Sequence, residues 1–200
     1  MATETTERDW IEEVGAPAYA EIVERVEMLD RALHAIAWTK SLTRERRQEI
    51  WCEHIVSDDE LKSQVATVSD DELISDIAEA IDDDARLGDE IGFDHDEEQA
   101  LQQIEEQALS VSARPGWVTT DNDDLVLEDF EILLTTGGPA VRIRGELDEG
   151  ANVHRAWLEV QDWGKSWTTY HKADRDTVEK YAAVFNGVFE SLAERLRERQ

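Results

Sequence analysis

The 200-residue chain is short of cysteine, proline, methionine and basic side chains, and each shortage closes a class of explanation. One cysteine, Cys52, permits no disulfide within the chain and no thiolate metal site, so a reducing compartment is expected. No run of about 18 apolar residues occurs, which excludes a membrane-spanning helix. The opening stretch from Met1 to Trp10 is acidic where a secretory leader would be basic and then apolar, so the expected location is the cytoplasm, of a host cell if the chain is phage-encoded. Only 20 Lys and Arg stand against 48 Asp and Glu, a formal charge of −28. Such a chain repels phosphate groups at every encounter, so neither direct nucleic-acid binding nor an anionic membrane partner is expected.

Catalytic and metal-binding patterns are also wanting. His34, His54, His95, His154 and His171 show no H-E-x-x-H pattern and no metal-ligand spacing. Cys52 and His54 are two apart, and on a helix such residues do not face each other. A calcium loop needs oxygen ligands at positions 1, 3 and 5 and glycine at 6. Started at Asp82, position 5 is Arg86 and position 6 is Leu87; started at Asp83, positions 3 and 5 are Ala85 and Leu87. Gly137-Gly138 has no Lys-Ser/Thr after it and reads as a turn. The expectation is a non-enzyme with no cofactor and no metal.

What the chain does have is acid, unevenly placed. Residues 57–106 hold 19 acidic side chains against Lys62 and Arg86 alone. Halophilic adaptation would spread acid over the whole surface, so an ordinary salt-adapted protein is only a third reading. Seven tryptophans and a hydrophobic fraction of 40% argue for a folded chain rather than an acidic tail.

The periodicities predict an α+β protein, with an acidic helical region over 1–111 and an α+β module over 117–200. From Tyr19 to Ile36, apolar Tyr19, Ile22, Val23, Val26, Leu29, Leu33 and Ile36 recur at helical spacing, with Pro17 near the start. A second helix is expected from about Thr43 through Ile55. Ser57-Asp58-Asp59-Glu60 and Ser69-Asp70-Asp71-Glu72 each set a serine three residues before a glutamate, a capping-box signature. Another helix is expected from near Asp94 through Leu109. Beyond Ser112–Gly116 the period falls towards two. Leu125–Thr135, Val141–Leu147, Val153–Gln161 and Ser166–Tyr170 read as an antiparallel meander of three to four strands, with Val141, Ile143, Gly145 and Leu147 on the dry face. One closing helix, striped by Val178, Tyr181, Val184, Phe185, Val188, Phe189 and Leu192, is expected to cover it.

Two features could carry function. Glu72, Asp76, Glu79 and Asp83 fall at i, i+4, i+7 and i+11, a carboxylate row on one helix face opposite Leu73, Ile74, Ile77 and Ile81. Around it lie Asp58, Asp59, Glu60, Asp70 and Asp71, then Asp82, Asp83, Asp84, Asp89 and Glu90. Such a row presents negative charge at a repeat comparable to that of a nucleic-acid backbone. The bland alternative is a solvated surface. Trp157, Trp163 and Trp167 form the second feature: they either fill the space between sheet and closing helix, or expose Trp163 or Trp167 as anchors for a partner.

The stretch Glu131-Ile-Leu-Leu-Thr-Thr-Gly-Gly-Pro-Ala-Val-Arg-Ile-Arg-Gly-Glu-Leu147, with Ala156-Trp-Leu-Glu-Val-Gln-Asp-Trp-Gly164 and Trp167-Thr-Thr-Tyr170, resembles a group of small phage- and plasmid-borne accessory proteins. It covers residues 125–170, outside the acidic half. The resemblance implies a mobile-element setting, where anti-restriction and anti-CRISPR proteins occur, several of them resembling DNA in charge. The leading expectation is therefore a non-enzymatic, DNA-mimicking inhibitor that occupies the nucleic-acid site of a CRISPR effector or restriction enzyme. Its alternative is an accessory protein–protein interaction module that binds through the tryptophan face, the acid being solubilising only. Whether the chain pairs with a second copy is left open.

Overall fold

The computed structural model describes residues 3–93, 97–116 and 126–198, and the fold is α+β. The helices are α1 (Thr3–Leu33), α2 (Ala35–Ser41), α3 (Arg44–Ile50), α4 (Asp59–Ser63), α5 (Asp70–Asp83), α6 (Ala85–Ile91), α7 (Glu97–Gln107), α8 (Arg175–Ala183) and α9 (Asn186–Arg197). The strands are β1 (Ser110–Pro115), β2 (Leu127–Thr135), β3 (Ala140–Leu147), β4 (Val153–Gln161) and β5 (Thr168–Thr169). They form one antiparallel sheet in the order β1-β2-β3-β4-β5. The chain divides into two compact units: Met1–Val26 with Leu101–Gln200, and Glu27–Ala100. Among the described residues no helix is long and apolar enough to cross a membrane.

In the sheet unit the alternation of the sequence is realised as expected. Val141, Ile143, Gly145 and Leu147 of β3 are buried, as are Phe130, Ile132 and Leu134 of β2 and Ala156, Leu158 and Val160 of β4. Phe130 meets Phe189 of α9 with ring centroids 4.9 Å apart. Tyr181 of α8 is fully buried and donates its hydroxyl to Gln107 at 2.7 Å; burial pushes its phenol well above the usual range. Close approach governs another contact. A Cβ at Gly15 of α1 would stand 2.4 Å from the Tyr170 ring, so only glycine lets the helix backbone and the ring share that space. Glu12, one turn earlier, pairs with Lys172 at 2.8 Å.

Several expectations are corrected. The first helix begins at Thr3, so Pro17 lies inside it, and the helix stops at Leu33 because His34 is extended (φ −132°, ψ 115°). That one residue breaks the 3.6 period, which leaves Leu33 and Ile36 exposed while Ala32 and Ala35 are buried. The helix after Thr43 is regular only to Ile50 and passes into a π-helical turn, Trp51–Ile55. Thr43 caps it by accepting from the Arg46 N–H. Ser57 is not a cap: α4 starts at Asp59, and the Asp58 carboxylate accepts from the Leu61 N–H instead. The helix expected from Asp94 is described from Glu97 and ends at Gln107, because Leu109 turns to the sheet and donates its N–H to the Leu133 carbonyl. Ser110–Pro115 is a strand the sequence reading lacked, and the closing helix is two, α8 and α9, parted at Val184 and Phe185. Val188 is exposed as a result.

Gly15→Ala is expected to lower stability by about 1–3 kcal/mol through overpacking against Tyr170; urea denaturation of the two proteins measures it.

Candidate functional site

The acidic unit, Glu27–Ala100, is organised about α5. Ser69 accepts from the Glu72 N–H and so caps the helix, as its sequence predicts. Leu73, Ile77, Ala78 and Ile81 face inward and join Ala35, Ile50, Trp51, Ile91 and Phe93 in one core. Trp38 packs edge-on against Phe93 at 5.4 Å.

The carboxylates fall into two chemical classes. Asp70 accepts from Arg44 and from Arg47, each at 2.7 Å. The Arg47 side chain is only 7% exposed, and its Nη1 also donates to the carbonyls of Thr39 (3.1 Å), Lys40 (3.4 Å) and Leu42 (2.6 Å). Those carbonyls are at and just beyond the C-terminal end of α2, where that of Thr39 also accepts from the Leu42 N–H. Asp76, half-buried, accepts the indole N–H of Trp51 at 2.8 Å. Asp84 caps α6 through the Arg86 N–H. That backbone hydrogen bond holds the Asp84 carboxyl below its usual 3.8, so the cap is intact at neutral pH and is lost only as pH falls through the lowered value.

The other class is free. Asp71, Glu72, Glu79, Asp82 and Asp83 are all exposed, and among the described residues none has an ion-pair partner. At 100° per residue they occupy one outward arc of α5 with Ser75 between them. The row read from the sequence is thereby altered: Asp76 is tied to the core and Asp82 takes a place in the arc. Asp59 and Glu90 are exposed, Asp58 is engaged at the start of α4, and the side chains of Glu60 and Asp89 lie outside the described ones.

The sheet unit treats charge differently. Strand register sets Ser110, Leu133, Arg142 and Glu159 in one cross-strand row, Ser112, Glu131, Arg144 and Trp157 in the next, and Arg114, Asp129, Glu146 and Arg155 in a third, on the face opposite the core. Arg142 bridges Glu131 and Glu159, each at 2.6 Å; Arg114 pairs with Asp129, and Arg155 with Glu146 at 3.8 Å.

The tryptophans do not fill the core beneath the closing helices. Trp157 lies on the polar face and donates to Glu159, and the guanidinium of Arg142 sits 4.0 Å over the Trp167 ring. Phenylalanine and tyrosine supply the core instead. Trp163 is 77% exposed, yet its indole rests on Gly138, where a Cβ would stand 2.3 Å from the ring nitrogen. Neither the Asp70–Arg47 clamp nor the Trp51–Asp76 bond was read from the sequence, since both pair residues more than 20 positions apart.

No protein-family model, curated protein or solved structure matches the chain.

Arg47→Met is expected to cost about 2–3 kcal/mol, because it strands carbonyls at the end of α2. Arg44→Met is expected to cost about 1 kcal/mol or less, its side chain being more than a third exposed. Urea unfolding of the two variants followed by far-ultraviolet circular dichroism distinguishes them.

Proposed function

We propose that the acidic unit binds a basic surface on a nucleic-acid-handling protein, a host nuclease or effector complex, and holds it by standing in for the nucleic acid's charge. The reading assigns the chain no catalysis. The observation that carries it is the partnerless arc on α5. Asp71 and Glu72 sit at the helix N-terminus, where the dipole favours them, but Asp82 and Asp83 end the helix, where it disfavours negative charge by about 0.3–1 kcal/mol each. No basic residue occupies the last turn to offset this. Natural sequences usually place Lys or Arg there; acid in that position is intelligible if a partner supplies the cations. A fixed row of carboxylates needs no reorganisation on binding, and such an association is fast and steeply salt-sensitive.

The arc gives a clean separation of binding from folding. Asp82→Asn with Asp83→Asn is expected to raise stability by up to about 1 kcal/mol, and the fivefold neutral variant (also Asp71→Asn, Glu72→Gln, Glu79→Gln) to stay folded by circular dichroism. Capture from a bacterial lysate on immobilised wild-type protein is expected to yield a nucleic-acid-binding protein that DNA competitor or high salt releases. The neutral variant is expected to bind that protein at least about tenfold more weakly. Equal binding by the neutral variant would sink the reading.

A second reading rests on Trp163, whose indole is exposed but held in place by Gly138. If the captured partner resists salt and DNA, and Trp163→Ala loses it, the tryptophan end of the sheet unit is the binding element.

A further inference from the structure

The sheet unit leaves one edge open at β1. This strand pairs with β2 from Ser110 to Pro115 on one side, and its other side meets no strand among the described residues. Edge strands are usually blunted by a charge, a proline or a bulge, because their free N–H and C=O groups recruit other strands. Here Arg114, Pro115 and the shift in register all sit at the far end, and Ser110–Ala113 carries no such device. Val111 and Ala113 stand across from buried Ile132 and Phe130, on the helix side of the sheet; Ser110, Ser112 and Arg114 lie on the other side.

A groove of about 200 Å³ runs beside this edge, lined by Ala113 and Pro115 of the strand and by Leu192, Arg195 and Leu196 of α9. Pro115 and Arg195 are exposed, and Ala113, Leu192 and Leu196 are half-buried, so the apolar wall is reachable from solvent. One turn before Leu192, Val188 is 38% exposed, and Leu109, just before β1, is 57% exposed.

Charge and register together name the occupant. In a chain of charge −28, repulsion opposes the approach of two copies over most of the surface. No carboxylate lines this groove, and β1 contains none. Helix geometry turns Glu190 and Glu194 to the side of α9 away from Leu192 and Leu196. The strand is also self-complementary. Antiparallel pairing about a two-fold axis at Ser112 sets Val111 against Ala113 and Ser110 against Arg114, with no like charges opposed. It keeps the apolar side chains of both copies on the α9 side, whereas an axis between Ser112 and Ala113 would set Val111 against Arg114.

We propose that two copies of this chain pair β1 against β1 about the axis at Ser112. Their five-stranded sheets join into one of ten strands, with both α9 helices over the same side and the apolar wall of each groove covered by the other copy. The pairing is independent of the α5 arc, and either can fail without the other. Salt separates them, because screening weakens the hold of the arc on a basic surface and eases the approach of two anionic copies.

The test is sedimentation velocity of the intact protein over a range of concentrations, at about 50 mM and about 500 mM salt. A reversible dimer is expected, more populated at the higher salt. Ser112 is exposed and meets itself across the axis, so Ser112→Asp and Ser112→Lys each place like charges face to face. Each variant is expected to keep its circular dichroism spectrum and to dimerise at least about fivefold more weakly. An equimolar mixture of the two is expected to pair at wild-type strength or better, since opposite charges then meet. A chain that stays monomeric at about 1 mM in high salt overturns the proposal and leaves the edge to a strand of a different protein. A dimer indifferent to both Ser112 variants also overturns it, since such a dimer forms through another face.

Discussion

The acidic unit depends on one arginine. Arg47 lies almost out of solvent beneath the end of α2, with three carbonyls on one guanidinium nitrogen and Asp70 on the other. A buried cation costs several kcal/mol unless its hydrogen-bond capacity is used. Nε of Arg47 is buried without a partner among the described residues, and the capacity that is used, on Nη1 and Nη2, does three structural jobs. It closes the C-terminal end of α2, it fixes α3 against that end, and through Asp70 it sets where α5 begins. The first residue of α5 and its serine cap are thus placed by a contact that is long in sequence and short in space. Asp76, accepting from Trp51 six residues further on, prevents the helix from turning about its own axis. Once those two carboxylates are anchored, the outward direction of the remaining five follows from helix geometry alone.

The two units manage charge in opposite ways. On the sheet, arginines stand across from carboxylates in register, so that acid on the polar face is largely met within three cross-strand rows. Opposite charges directly across an antiparallel pair stabilise it by tenths of a kcal/mol, and like charges oppose it. On α5 the available cations, Arg44 and Arg47, are both consumed by Asp70. Nothing in chain composition forces this division. The lysines and arginines could have been shared more evenly, and at the C-terminal end of α5 they would have been rewarded by the helix dipole. Their absence there is the feature a purely solubilising role leaves unexplained.

Legibility in the sequence followed the range of the interaction responsible. Period-two alternation in Val141–Leu147 and helical spacing in Asp70–Asp83 are local, and both elements appear where the pattern puts them. Ser69 likewise caps through a bond only three residues long. Ser57 failed because Asp58 beside it offers a competing acceptor, and the choice between adjacent caps is too small in energy for pattern to decide. β1 escaped because its alternation rests on Val111 and Ala113 alone, neither of them buried, and it is held by pairing with β2. The grouping of the first 26 residues with the sheet was illegible for the same reason: it rests on Gly15 against Tyr170 and Glu12 against Lys172, partners some 150 positions away. The tryptophans stayed open between core and surface because aromatic residues at strand spacing fit either place, and only register assigns Trp157 to the row of Arg144 and Glu131.

These contacts also decide what the carboxylate row can mean. Charge counted along a sequence treats every aspartate alike, and by that count Asp70 and Asp76 belong to the binding face. In the structure each of these two is already an acceptor whose loss would leave a buried or half-buried donor unpaired. The five without an ion-pair partner among the described residues stand on a fixed helix, and a fixed backbone is the more demanding requirement. A disordered acidic tail can neutralise a basic surface, but it loses conformational entropy as it does so. Carboxylates on α5 lose only side-chain freedom, because the backbone beneath them is already fixed by Leu73, Ile77 and Ile81 in the core and by Arg47 at the helix start. On the proposed reading, a charged surface of that kind would select partners by the spacing of their cations as well as by their number, which is what would separate mimicry of a nucleic acid from simple polyanion attraction.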